Sequence, residues 1–392
     1  MAFHPGVVGA NPLDAFTYDI DFVAGTAKGG MQPYGNNNQD GRLFRDPNNV
    51  TAAFVPDATG VLVATASAGL RRSNAGHWDY PSSGTSVIKQ NRDLTQTSVW
   101  TATNVTALKN QVGMTGVSNS ASSITATATN GTILQAVTLA SSNMVFSVDI
   151  KRLVGTGTLE MTVDGGTTWT AISGITASYS QKYMYQAAVT NPTFGFRIGT
   201  SGDSFAVDFC LHTVPANSIN IPPQYRYATT AATLFTSQSR PNAAFADSSP
   251  LLTVARGAFA FYWQGRSERS TGGFVITGST GVFCSVLATG SGGAVKFSDG
   301  PGSSTTADSV WKVGLTQVNK VAGYVTAGGV IKVAANGVLG SAGTGATLES
   351  TLDHFDLGTN GAGQNSIYGI NERFAMSSNT TFTDNELVIM TT

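Results

Sequence analysis

Apolar and polar residues take turns along most of this chain, and that period of two restricts what it can become. Phe16, Tyr18, Ile20 and Phe22 share one side while Thr17, Asp19 and Asp21 share the other. Met144, Phe146, Val148 and Ile150 repeat the pattern, as do Phe205, Val207, Phe209 and Leu211. Phe259, Phe261 and Trp263 follow, then Trp311, Val313 and Leu315. Side chains of a strand point alternately to its two faces, so each run predicts a strand with one dry and one wet side. The runs are bounded by Gly, Asn, Asp and Ser, which predicts antiparallel strands joined by tight turns. The stretches VDGGTTW (163–169) and YVTAGGVIKV (324–333) read as hairpins with glycine where φ must be positive. Sustained helical periodicity is nearly lacking, and the fold class is all-β: an extended N-terminal arm followed by two antiparallel β-sandwich (jelly-roll) domains.

One helix is predicted with a mechanism, at the C-terminus. In FTDNELVIM, Thr383 is placed as N-cap and Glu386 three residues on completes a capping box, while Phe382 and Leu387 form a hydrophobic staple.

Composition shifts set the expected boundaries. Residues 1–90 are rich in Asn, Gly and Pro and read as an arm; 91–214 hold a first sandwich; 215–250 carry five prolines and read as a linker; 251–392 hold a second sandwich. The chain has 392 residues, ample for two cores.

Charged residues are only 11% of the chain, against roughly 25% in typical soluble domains. Net charge is −1, and no basic run exceeds the pair Arg71-Arg72. Nucleic acid is therefore excluded as a main partner, because counterion release needs a clustered basic surface. No apolar run approaches the ~20 residues that span a bilayer, so membrane insertion is not expected. The N-terminus shows no signal-peptide pattern. Cys210 and Cys284 fall in separate expected domains and are read as free, buried thiols.

Catalytic chemistry finds little support. LDHFDLG (352–358) concentrates two acids and one of only four histidines. As a strand it would send His354 and Asp356 one way and Asp353 the other, short of the three or four ligands of a zinc site. Asp19 and Asp21 share a strand face and read as solvated acids rather than the paired carboxylates of a glycosidase. The four histidines lack flanking nucleophile motifs. GTSGDS (199–204) reads as a turn, and GSGGAV (290–295) lacks the Lys-Ser/Thr of a phosphate loop. No catalytic residue, metal ligand or cofactor is assigned, and the chain is not read as an enzyme.

Aromatic residues offer the binding chemistry. A sugar stacks its C–H faces on aromatic rings and pairs its hydroxyls with polar neighbours. HWDYP (77–81) supplies Trp78 and Tyr80; YSQKYMYQ (179–186) puts Tyr179, Tyr183 and Tyr185 on one strand face; Tyr262 alternates away from Phe261 and Trp263. Trp78, Tyr80, Tyr183, Tyr185 and Tyr262 are the glycan-contact candidates, with packing against a neighbouring strand or subunit as their bland alternative.

Three stretches also resemble a known family. LFRDPNNVTAAFVPDATGVLVATASAGLRRS (43–73) is similar to a segment near the start of tailed-phage structural proteins, through Phe44-Arg45, Thr51-Ala52, Gly60-Val61-Leu62 and Arg71-Arg72. SVWTATNVT, MVFSVDIKRL and VDGGTTWTAI resemble their jelly-roll modules, which share the fold of many carbohydrate-binding modules. VWKVGLTQVNKVAGYVTAGG, FDLGTNGAGQNSIYGINERFAM and TDNELVIM resemble a laminin-G or concanavalin-type sandwich, although Thr326-Ala327-Gly328-Gly329 stands where that pattern has Asn-Gly. The resemblance implies a fibre or spike subunit on the virion exterior, made in the host cytoplasm. It would bind other virion proteins through its arm, assemble as a homotrimer and attach to host-surface glycans. A capsid decoration protein and a polysaccharide depolymerase are the alternatives. No residue-level binding site carries over, because such sandwiches vary their loops.

Overall fold

The computed structural model describes residues 12–28, 44–45, 53–65, 72–73, 75–79, 84–214, 233–235, 240–241, 250–267, 272–278, 281–289, 294–298, 304–307, 310–347, 352–357, 369–378 and 380–392. The chain is all-β, in antiparallel sheets, as the alternation predicts. Its contacts divide it into two units. One holds residues 1–51, 65–81 and 237–392, the other 52–64 and 82–236. The leading 90 residues, expected as one strap, are thus shared between the two.

The unit built around residues 82–236 is a jelly roll of two five-stranded sheets. The first runs Val105–Gln111, Ala121–Ala126, Ser204–Thr213, Ser142–Val154, Ser180–Val189. The second runs Thr170–Ala171, Leu159–Thr162, Thr193–Ile198, Gly131–Ala136, Thr101–Thr103. Met144, Phe146, Val148 and Ile150 all enter the core between the sheets, where Phe146 meets Phe194 and Phe196 with ring centroids 5.5 Å apart in each case.

The Ser204–Thr213 strand departs from simple alternation. Phe205 and Val207 face the core, but so does Cys210, while Phe209 and Leu211 face outward. The cause is a bulge. Between the pairs Asp149↔Asp208 and Ser147↔Leu211 one strand advances two residues and the other three, with Phe209 at φ +44°. One extra residue reverses every later side chain. The displaced Phe209 and Leu211 are covered by Phe54 and Leu62, from the antiparallel Ala53–Pro56 and Leu62–Thr65 strands. Cys210 is a free, buried thiol; the Cys284 side chain lies outside the described residues.

The other unit has a nine-stranded sheet. Its main path runs Thr26–Lys28, Tyr18–Asp21, Gly369–Ser378, Phe259–Ser267, Gly314–Val325, Ile331–Ala335, Val338–Leu339, and Gly76–Asp79 also pairs with Gly369–Ser378. A five-stranded sheet runs Ser304–Ala307, Ala294–Ser298, Gly281–Thr289, Gly272–Gly278, Leu352–Leu357. Phe259, Phe261, Trp263, Val295 and Phe297 meet in a common core, and Trp263 stacks on Trp311 with centroids 5.6 Å apart. Within LDHFDLG, Leu352–Leu357 is a strand, paired with Gly272–Gly278; its side chains lie outside the described residues.

The opposite face of the nine-stranded sheet is also covered. Ala260, Ala322, Ala334 and Ala375 keep that face low, and the C-terminal helix Asp384–Thr391 packs there through Leu387 and Met390. The capping box between Thr383 and Glu386 is formed, and Phe382 joins Leu387 in the same cluster. Phe16, expected on one face with Ile20 and Phe22, instead packs on this side against Phe382, at 5.4 Å. Pro12–Ala15 forms a 3-10 turn just before it, so strand alternation begins only at Tyr18.

Candidate functional site

The edge strand Ser180–Val189 of the jelly roll carries the candidate site. Its alternation is set by the core: Met184 lies opposite Phe146 and is buried, so its neighbours must point outward. Tyr183 and Tyr185 do so, at 51% and 40% exposure. Residues two apart on a strand are about 7 Å apart, a spacing at which both rings can meet adjacent sugar units. Tyr183 lies directly across from Ser147 and Tyr185 across from Val145, both fully buried. Among the described residues the Ser147 Oγ has no hydrogen-bond partner.

Tyr179, on the same side, is fixed. Its hydroxyl donates to the Val112 carbonyl at 3.1 Å, and the Lys151 ammonium lies 4.6 Å from its ring centroid. Burial, reinforced by the Asp208 and Asp149 carboxylates, pushes its phenol well above the ordinary tyrosine range. It therefore stays neutral as a wall beside two freer rings.

The other candidates separate. Trp78 lies in the Gly76–Asp79 strand, opposite Ile370 in register, and its side chain is outside the described residues, as is all of Tyr80. Tyr262 is not outward-facing: it is 1% exposed, packed with the C-terminal helix, and its hydroxyl donates to Gln264 Oε1 at 2.8 Å. The face opposite Phe261 and Trp263 is a second buried layer, so Tyr262 is a core residue. Of the five, Tyr183 and Tyr185 are the pair brought together on a solvent-facing strand.

The acids considered for hydrolysis serve structural ends. Asp19 pairs with Arg373, whose Nε donates at 2.9 Å, and Asp21 accepts the Ala24 N–H at 2.7 Å. Among the described residues no group of three His, Cys, Asp or Glu side chains is arranged to hold a metal ion.

Trp169 is an aromatic that alternation alone does not reveal. The hairpin before it places Gly165 and Gly166 at φ +74° and +94°, and a Cβ on Gly166 would stand 2.8 Å from the indole. The indole lies over the Arg197 guanidinium at 4.6 Å, and Arg197 Nε donates to Glu160 at 2.5 Å. The usable signal is a Trp three residues after a two-glycine turn. Asp164 braces that turn, accepting from Gln186 Nε2 at 2.8 Å, the Thr168 N–H at 2.9 Å and Thr162 Oγ1 at 2.8 Å.

Burial opposes ionisation of Asp164, but these donors outweigh it and hold the carboxyl well below its ordinary value. A depressed folded-state pKa stabilises fully above the unfolded value and is lost as pH falls through the folded one. The melting temperature is therefore expected to fall as pH drops below about 4. Asp164→Asn should flatten part of that slope, and only part, because Asp57 and Asp93 are shifted the same way. An unchanged slope in calorimetric scans of the variant would refute this role.

No protein-family model matches the chain, and no curated protein matches it. Among solved structures, the CBM40 module of a Ruminococcus gnavus IT-sialidase is similar at 15% identity over 36% of this chain and 86% of that one, with a TM-score of 0.29. The LG4-5 domains of the mouse laminin α1 chain are similar at 10% identity, over 68% and 92%, with a TM-score of 0.25. The CBM22-1–CBM22-2 tandem of Paenibacillus barcinonensis Xyn10C is similar at 9% identity, over 79% and 94%, again at 0.25. At these scores the overlap carries no functional inference. The class the residues themselves define is a protein of two β-units, one a jelly roll with an exposed tyrosine pair on an edge strand.

Proposed function

We propose that the protein is a non-catalytic glycan-binding protein whose contact surface is the Tyr183–Tyr185 edge of the jelly roll. The observation that carries this is two tyrosines, 51% and 40% exposed, side by side on one strand. Aromatic ring faces are electron-rich, and the C–H groups of a sugar ring are complementary to them. Two rings half in water on one strand offer the surface that such a stack would use.

The finer reading is a tailed-phage virion protein, a fibre or spike subunit on the particle exterior that attaches to host-surface glycans. What supports it is the likeness of the 43–73 segment and of the two sandwich stretches to phage structural proteins. The N-terminal arm would contact other virion proteins, and a homotrimer would multiply weak single-sugar contacts into useful avidity.

The test is a glycan array and a host-polysaccharide pull-down with the full chain. The wild type is expected to retain a defined set of glycans. Tyr183→Ala/Tyr185→Ala should weaken that binding at least about tenfold with its circular dichroism unchanged. Absence of any bound glycan, or full binding by the folded double variant, contradicts the proposal.

A further inference from the structure

Beside Tyr183, on the side turned from Ser147, a cleft of about 180 Å³ opens between the Thr170–Ala171 and Ser180–Val189 strands, at the edges of the two sheets. That is below the ~300–1,000 Å³ of a drug-sized site, room for a single ring rather than a chain. Met161, Ile172 and Met184 give it an apolar floor. Thr170, Ser173 and Lys182 line it as well.

Lys182 is the informative residue. It lies two residues from Met184 on the same side of the strand and so turns toward the sandwich edge, opposite to Tyr183. Its ammonium lies 3.5 Å from where a Gly174 Cβ would stand, which places the charge across the cleft by the loop after Ser173. The side chain is half-buried and has no ion-pair partner among the described residues. The acids of the adjoining strand and turn are occupied: Glu160 by Arg197, and Asp164 by Gln186, Thr162 and the Thr168 N–H. A cleft that combines apolar side chains, polar residues, an exposed ring and a cation is complementary to a sugar that carries its own negative charge.

We infer that this cleft receives a carboxylate-bearing sugar residue, with its carboxylate on Lys182, its apolar face on Met161 and Met184, and the next unit of the glycan on Tyr183. The inference rests on the glycan-binding reading and narrows it to acidic polysaccharides.

The test is calorimetric titration of the full chain with oligomers of galacturonate, glucuronate-containing hyaluronan and alginate, each beside its carboxyl-reduced counterpart. The acidic form of at least one is expected to bind about tenfold or more tightly than its reduced form. Lys182→Met should abolish that preference, and Lys182→Arg should keep it. Equal affinity for acidic and reduced forms in the wild type overturns the inference and leaves glycan binding standing. Persistence of the preference in Lys182→Met overturns it as well. Failure to bind either form, together with an empty glycan array, overturns both readings at once.

Discussion

Replacing Arg92 by methionine is expected to destabilise the jelly roll by about 3–5 kcal/mol, the cost of leaving a buried charge without its partner. Asp208 is fully buried, and Arg92 meets it with two hydrogen bonds, Nε to Oδ1 at 2.6 Å and Nη2 to Oδ2 at 3.0 Å. The guanidinium also lies 4.3 Å from the centroid of the Phe209 ring that the bulge turned outward. Asp149, 1% exposed, stands directly opposite Asp208 in the sheet, so losing the cation leaves two buried carboxylates facing one another. Burial raises the Asp208 pKa, and Arg92 opposes it most, helped by the Met114 and Phe209 N–H groups. Without that opposition the folded state holds a proton that the unfolded state releases, so the variant should regain stability on acidification from pH 7 to pH 5. Arg92→Met/Asp208→Asn should recover part of the loss, since the asparagine oxygen replaces one of the two acceptors that now take the Met114 N–H at 2.8 Å and the Phe209 N–H at 3.0 Å. Urea titrations of the single and double variants check both points. A single variant within about 1 kcal/mol of wild type would show that the pair does not hold this face together.

Phe146→Ala is the second large effect, expected to cost about 3–5 kcal/mol. The side chain is fully buried on the longest strand of its sheet, against Phe194 and Phe196 of the facing sheet. Truncation forfeits the transfer energy of the ring and leaves a cavity that two rings from a single strand cannot both move to fill. Phe146→Leu should cost clearly less. A Phe146→Ala loss below about 1.5 kcal/mol in the same titrations would mean that the core collapses around the gap.

These two sites mark where the sequence was legible and where it was not. Phe146 could be placed from alternation alone, as could Met144, Val148, Phe261 and Trp263, because each faces a neighbouring sheet. The capping box at Thr383 and Glu386 was equally plain, since its partners are three residues apart. Arg92 and Asp208 are 116 residues apart, and nothing local announces their pairing. The bulge at Phe209 was hidden for a similar reason: it is a mismatch between two strands, and one strand read by itself shows only regular spacing. Tyr262 went astray because alternation reports two faces and not what covers them; a helix from the end of the chain makes its face a second interior.

The proposed binding edge was partly legible. Tyr183 and Tyr185 could be named from their spacing, and their exposure follows from Met184 being held between the sheets. Lys182 could not be singled out, because what distinguishes it is the occupancy of Glu160 and Asp164 by other partners. The turn that Asp164 braces lies between the Leu159–Thr162 and Thr170–Ala171 strands, and residues of both line the cleft.

The most direct measurement is amide chemical-shift mapping of the labelled full chain during titration with a glycan it retains. Binding through the tyrosine edge predicts perturbations centred on residues 180–187 and their cross-strand neighbours 145–149. Saturable binding that leaves those amides unmoved, and shifts others instead, would contradict it.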